Sequence, residues 1–133
     1  LGVTLIKHYI KDLSFENPQS IEENNAKNNN NNDILANINF VYESFENNFF
    51  SLNFKYSCEG TSKTSNKKLF LLELDYLGFF KIVNNKSNNQ VELTKRGAQL
   101  ILPFVKLIIE DLSAKGGSVP LILENIDFDL IKV

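Results

Sequence analysis

Apolar and polar residues alternate with two different periods along this chain, and the change of period divides it. Residues 3 to 15 read VTLIKHYIKDLSF, rich in β-branched and aromatic types with polar residues interspersed, and stop ahead of Pro18; this predicts a first strand. From Gln19 to Asp33 there is almost no apolar residue, and Asn28 to Asn32 is an unbroken run, which predicts a long mobile loop. Ile34, Ala36, Ile38, Phe40 and Tyr42 then share one face opposite Asn37, Asn39 and Glu43, as in a second strand buried on one side. Glu46-Asn47-Asn48 supplies turn residues that tolerate the left-handed region. Beyond it Phe50, Leu52, Phe54, Tyr56 and Cys58 alternate with Ser51, Asn53, Lys55 and Ser57, completing a hairpin.

A polar linker from Gly60 to Lys68 leads to a fourth strand with Phe70, Leu72, Leu74 and Tyr76 on one face. Leu69, Leu71, Glu73 and Asp75 lie on the other, and Gly78 is expected at a bend or bulge. After the polar stretch Asn84 to Gln90 the period becomes helical: Ala98, Ile101, Leu102, Val105, Ile108, Ile109 and Leu112 form a stripe that Gly116-Gly117 ends. Pro103 falls inside the stripe, where it is expected to kink the helix or set its start near Leu100. Phe104 and Leu107 add apolar surface off the stripe, so the helix is expected to be buried on two sides, by its own sheet and by another copy of the chain. Ile101, Leu102, Val105, Ile108 and Ile109 are the expected oligomer contacts. Residues 119 to 123 read as extended, and Asn125 or Asp127 can cap a short terminal helix with Phe128, Leu130 and Ile131. The fold class is α+β: a four-stranded antiparallel sheet with a long helix and a short C-terminal helix packed on one face.

Composition narrows the function. At 133 residues the chain is expected to form a single domain, 1–133, and its 43% hydrophobic and 23% charged content is that of a globular protein despite nineteen asparagines. A formal charge of -2 leaves no broad basic face for phosphates, so nucleic acid is not an expected partner. No apolar run approaches the ~18 residues of a membrane span. The absence of Met suggests that the sequence begins inside its translated product. Cys58 and His8 are each the sole residue of their kind, which excludes a disulfide, a cysteine cluster and a multi-histidine metal site. There is no Gly-rich phosphate loop, nucleophile elbow, HExxH or CxxC. The pairs Asp12 with Glu16, and Glu73 with Asp75, point to solvent by strand spacing, where carboxylates serve docking better than catalysis. A binding module without cofactor or metal is the expectation, not an enzyme. A carrier that encloses a lipid-like ligand between a curved sheet and helix is the alternative, suggested by eleven Phe, and a structural assembly subunit is another.

Tyr9-Ile10-Lys11-Asp12-Leu13-Ser14-Phe15-Glu16-Asn17-Pro18 resembles the opening strand of the SecB family of protein-export chaperones, with its Y-x-K-D-[IL]-S-F-E-x-P pattern. Residues 71 to 80, LLELDYLGFF, resemble that family's fourth strand. Ile101-Leu102-Pro103-Phe104 resembles its L-F-P-[FY], and Gly117 to Phe128 its closing G-x-x-P-L-x-L-x-x-[IV]-[DN]-F. The sequence departs where Lys95-Arg96-Gly97 stands in the region of a usual Cys-Pro pair, where Lys106 replaces a usual Arg, where the Asn run fills the crossover loop, and in lacking an acidic tail. The resemblance implies a homotetramer, a dimer of dimers with helices between two eight-stranded sheets, in the bacterial cytoplasm. It implies ATP-independent holding of unfolded precursor proteins and their delivery to the translocation motor ATPase, SecA, with no membrane insertion. Client contacts would be Ile38, Phe40, Tyr42, Phe128, Leu130 and Ile131; Asp12, Glu16, Leu71 and Glu73 would dock the motor. A relative serving a toxin-antitoxin system is the variant left open.

Overall fold

The computed structural model describes residues 2–25, 32–83, 89–118 and 121–123, with side chains left aside at 24 and 25. Four strands, β1 (Val3–Glu16), β2 (Asn32–Phe45), β3 (Phe49–Ser62) and β4 (Lys68–Ile82), form one antiparallel sheet in the order β1-β4-β3-β2. A short helix α1 (Ile21–Asn25) precedes β2, and the long helix α2 (Gln90–Lys115) packs across one face. That face is the one the alternation selects: Phe50, Leu52, Phe54 and Cys58 on β3 and Leu72, Leu74, Tyr76 and Phe80 on β4 are buried under it. Phe50 and Phe80 stack at 4.9 Å in its centre. At the expected hairpin turn, Asn47 and Asn48 both take positive φ, 62° and 65°, which asparagine tolerates better than most residues.

Several sequence expectations are corrected. Gly78 is neither bend nor bulge, because β4 runs straight through it. Its missing side chain makes room instead: a Cβ there would lie 2.7 Å from the Phe80 ring and 2.9 Å from Ile101. The irregularities fall in β1, between Leu5 and Lys7 and between Ile10 and Asp12. Each bulge skips one residue, so Leu5, His8, Ile10, Leu13 and Phe15 stay in phase with the inner face although their spacing is not strictly two.

Pro103 neither kinks α2 apart nor starts it. The helix begins at Gln90, where the Asn89 side chain accepts from the Val91 N–H at 2.9 Å, and it continues past Pro103. Pro103 and Gln99, whose carbonyl loses its usual partner, are both exposed, so water can take the place of the missing N–H. The end falls where expected, with Gly117 at φ 81° and the Gly116 N–H bonded to the Leu112 carbonyl at 2.8 Å.

Part of the expected loop from Gln19 to Asp33 is also ordered differently. Ser20 and Glu23 form a capping box, the Glu23 N–H donating to Ser20 Oγ at 3.1 Å and the Ser20 N–H to Glu23 Oε1 at 3.2 Å, and α1 follows. Asn32 and Asp33 belong to β2. Residues 26 to 31, like the expected terminal helix with Phe128, Leu130 and Ile131, lie outside the described residues.

Candidate functional site

The sheet face away from α2 collects the acidic residues. Paired residues on neighbouring antiparallel strands project to the same face, so the register fixes the rows. Glu16, Leu71 and Glu59 stand in one row, Ser14, Glu73 and Ser57 in the next, and Asp12, Asp75 and Lys55 in the third. The four positions expected to dock a partner, Asp12, Glu16, Leu71 and Glu73, are thereby brought together on one outer surface. Asp12, Glu16 and Glu73 are exposed, and Leu71 is half-buried between Glu16 and Glu59. A shallow depression of ≈ 370 Å³ opens among Asp12, Asn39, Lys55, Glu73 and Asp75. Asn53 Nδ2 donates to Asp75 Oδ1 at 2.7 Å, and Lys68 pairs with Glu59 at 3.2 Å. Carboxylates therefore outnumber cations on this part of the face.

The other half of the outer face is aromatic, a feature the sequence reading missed. Phe79 stacks on Phe49 at 5.1 Å and meets Phe45 edge-on at 5.8 Å, and the Lys81 ammonium sits 5.6 Å from the Phe49 ring centroid. These phenylalanines occupy the strand phase that is otherwise polar. That departure from alternation was the available signal.

On the inner face the expected client residues separate. Phe40 packs edge-on against Phe54 at 5.2 Å and Tyr42 stacks on Phe50 at 5.3 Å, which commits both to the rim of the core. Ile38 remains exposed, with Ile34 farther along the same face.

The expected oligomer contacts need a correction. Ile101, Val105 and Ile109 are fully buried within the single chain, Leu102 is nearly so, and Ile108 packs partly against the same cluster. They form the stripe that lies on the chain's own sheet, because the strongest apolar stripe of a helix goes to its nearest sheet. The apolar surface that α2 leaves outward is Phe104, 40% exposed, and Leu107, 66% exposed.

Groups with chemical potential are used structurally. His8 Nδ1 shares a hydrogen bond with the Tyr76 hydroxyl, and its ring lies 4.2 Å from that of Phe104. Cys58 stands opposite Leu72 and His8 opposite Gly78, with β4 between their strands, so the two form no dyad. Burial pushes the Cys58 thiol above its ordinary value, away from a reactive thiolate. Burial likewise raises Tyr56, Tyr42 and Tyr76. Among the described residues no group of His, Cys, Asp and Glu could hold a metal ion, and no helix is long and apolar enough to cross a membrane.

Comparison with known proteins places these surfaces. The family described as Preprotein translocase subunit SecB matches residues 2–131. The Protein-export protein SecB of Orientia tsutsugamushi (strain Boryong) is 34% identical over 129 residues, covering 90% of this chain and 74% of its own. That of Methylocella silvestris is 32% identical over 128 residues, covering 96% and 78%. Among solved structures, a Mycobacterium tuberculosis SecB-like chaperone in complex with a ChAD peptide from an antitoxin superposes with a TM-score of 0.71. It covers 94% of this chain and 91% of its own at 10% identity, a likeness of fold. With the sheet order, the long helix and a family match from one end of the chain to the other, this chain belongs to the SecB family.

Proposed function

We propose that this chain is an ATP-independent holdase that keeps unfolded precursor proteins export-competent and passes them to the translocation motor ATPase, SecA. The observation that carries this is the family match over residues 2–131, shared with relatives named as protein-export proteins. The residues agree with it. A holdase needs exposed apolar surface and no reaction centre, and the chain offers Ile34, Ile38, Phe104 and Leu107 at its surface while its only thiol is buried and held protonated. Many weak contacts along one unfolded chain add up by effective concentration, so no single tight pocket is required. The space between sheet and helix is filled by Phe50, Phe54, Phe80 and Ile101, which argues against a carrier enclosing a ligand there. We assign no catalytic role to any residue and place the protein in the cytoplasm.

The assembly belongs to the same proposal. A homotetramer, a dimer of dimers, would cover the outward apolar side of α2, with Phe104 and Leu107 in place of the core residues as its contacts. Asp12, Glu16, Leu71 and Glu73 would dock the motor from the acidic outer face. Two measurements on one preparation test the function: native mass, and suppression of aggregation of a chemically unfolded protein without nucleotide. A tetramer that suppresses aggregation equally with and without ATP is expected. A chain that leaves aggregation unchanged overturns the proposal.

A further inference from the structure

β2 closes the sheet on one side, so one row of its backbone N–H and C=O groups has no strand partner among the described residues. Proteins usually blunt such an edge with bulges, Pro or Lys. β1, the opposite edge, does so with two bulges and with Lys7 and Lys11. β2 carries none of these devices. It pairs with β3 in unbroken register from Asn32 opposite Ser62 to Phe45 opposite Phe49, and its fourteen residues contain no Pro, Lys or Arg.

The edge is also apolar on both faces. Ile34 and Ile38 project to the helix side and Leu35 and Val41 to the outer side, all four exposed, Ile34 at 61% and Leu35 at 63%. An extended peptide laid along β2 would find backbone partners and an apolar neighbour for successive side chains on either face. The charges of the edge are Asp33 and Glu43 alone. A second β2 paired antiparallel about Ile38 would set Asp33 of one copy against Glu43 of the other at both ends, and like charges directly opposed are unfavourable. A segment alternating apolar residues with Lys or Arg meets the opposite sign. Lys63 already reaches Asp33 at 3.5 Å, so the Glu43 end carries more of that preference.

We propose that the free edge of β2 takes up an extended, apolar and basic segment of an unfolded polypeptide as an added strand. The proposal rests on the holdase function and supplies its grip: main-chain hydrogen bonds do not depend on sequence, which suits a protein that holds many clients, while Asp33 and Glu43 bias the choice.

The test uses the full chain and a short synthetic peptide alternating valine with lysine. Amide hydrogen exchange with saturating peptide should show new protection at alternate residues of β2, and none along β1. Methylation of every peptide amide should weaken binding about tenfold or more, since it removes the donors and leaves the side chains in place. The D33K/E43K variant should come to prefer a valine-glutamate peptide over the valine-lysine one. Protection absent from β2, equal binding of the methylated peptide, or an unchanged charge preference would each overturn the proposal. So would a fall in assembly mass on adding peptide, which would mean that a second copy holds the edge. Aggregation suppression on the same preparation separates the two proposals: if it persists without β2 protection, strand addition alone fails, and if it is absent the holdase function fails first.

Discussion

Cys58 shows how far a single residue can be read in isolation. Its strand phase gave the buried face, and the structure places it there at 1% exposure, where loss of water raises the thiol and the Tyr56 hydroxyl pulls the other way without reversing the shift. Labelling by a thiol reagent at neutral pH should therefore follow unfolding in denaturant rather than precede it; rapid labelling of the native protein would show that the inner face opens. Glu23 titrates in the opposite sense. Its hydrogen bonds with the Ser20 backbone and side chain, and the nearby Lys67 ammonium, hold its carboxyl below the ordinary value of 4.5. A depressed folded pKa means that the cap helps α1 above the unfolded value and stops helping as pH falls through the folded one. The Ser20 amide proton shift should report that loss below about pH 4, and Glu23→Gln should flatten it. Ser20-x-x-Glu23 was legible as a capping box, yet the surrounding asparagines masked it. His8 was not legible at all, since its partners Tyr76 and Phe104 are far away in sequence.

Among the elements, β2, β3 and β4 were legible because each buries one face and so keeps a strict period of two. β1 was legible as a strand but not in its register: its bulges at Ile6 and Lys11 break the alternation, and only pairing with β4 restores the phase. For α2 the stripe was right and its destination wrong. Ile101, Leu102, Val105 and Ile109 are apolar enough for either a sheet or a second subunit, and periodicity cannot tell which surface is nearer. The two sides now predict different failures. Val105→Asp puts an unpaired charge into the fully buried stripe and should cost roughly 4 kcal/mol or more of folding stability, read by urea denaturation. Phe104→Asp with Leu107→Asp lies on the outward side and should leave the denaturation midpoint within about 1 kcal/mol while lowering the assembly mass. If the double variant keeps its full mass, that side of α2 is not an interface.

At the scale of the whole molecule, the outer sheet face holds a separation of charge from apolar surface that the sequence showed only in part. Alternation put Glu73 and Leu71 outward, and the strand pairing then brought Asp12 and Glu16 beside them. What alternation could not show was the neighbourhood: Asp75 opposite Asp12, Glu59 opposite Leu71, and Phe45, Phe49 and Phe79 gathered at the far end. A face so divided suggests that two binding activities use different forces. Docking of a basic partner on the acidic end should weaken between low and physiological ionic strength, as the screening length falls from ~30 to ~8 Å. Holding of clients through apolar and main-chain contacts should change far less. Asp12→Lys with Glu73→Lys reverses charge at two exposed positions, so the fold should survive and the two activities can be compared on one preparation. Motor binding should fall about tenfold or more and lose its salt dependence, while aggregation suppression stays within a factor of about two. Equal loss of both would mean that these residues serve assembly instead, and loss of neither would remove the acidic face from docking, because an electrostatic dock cannot be indifferent to the sign of its charges.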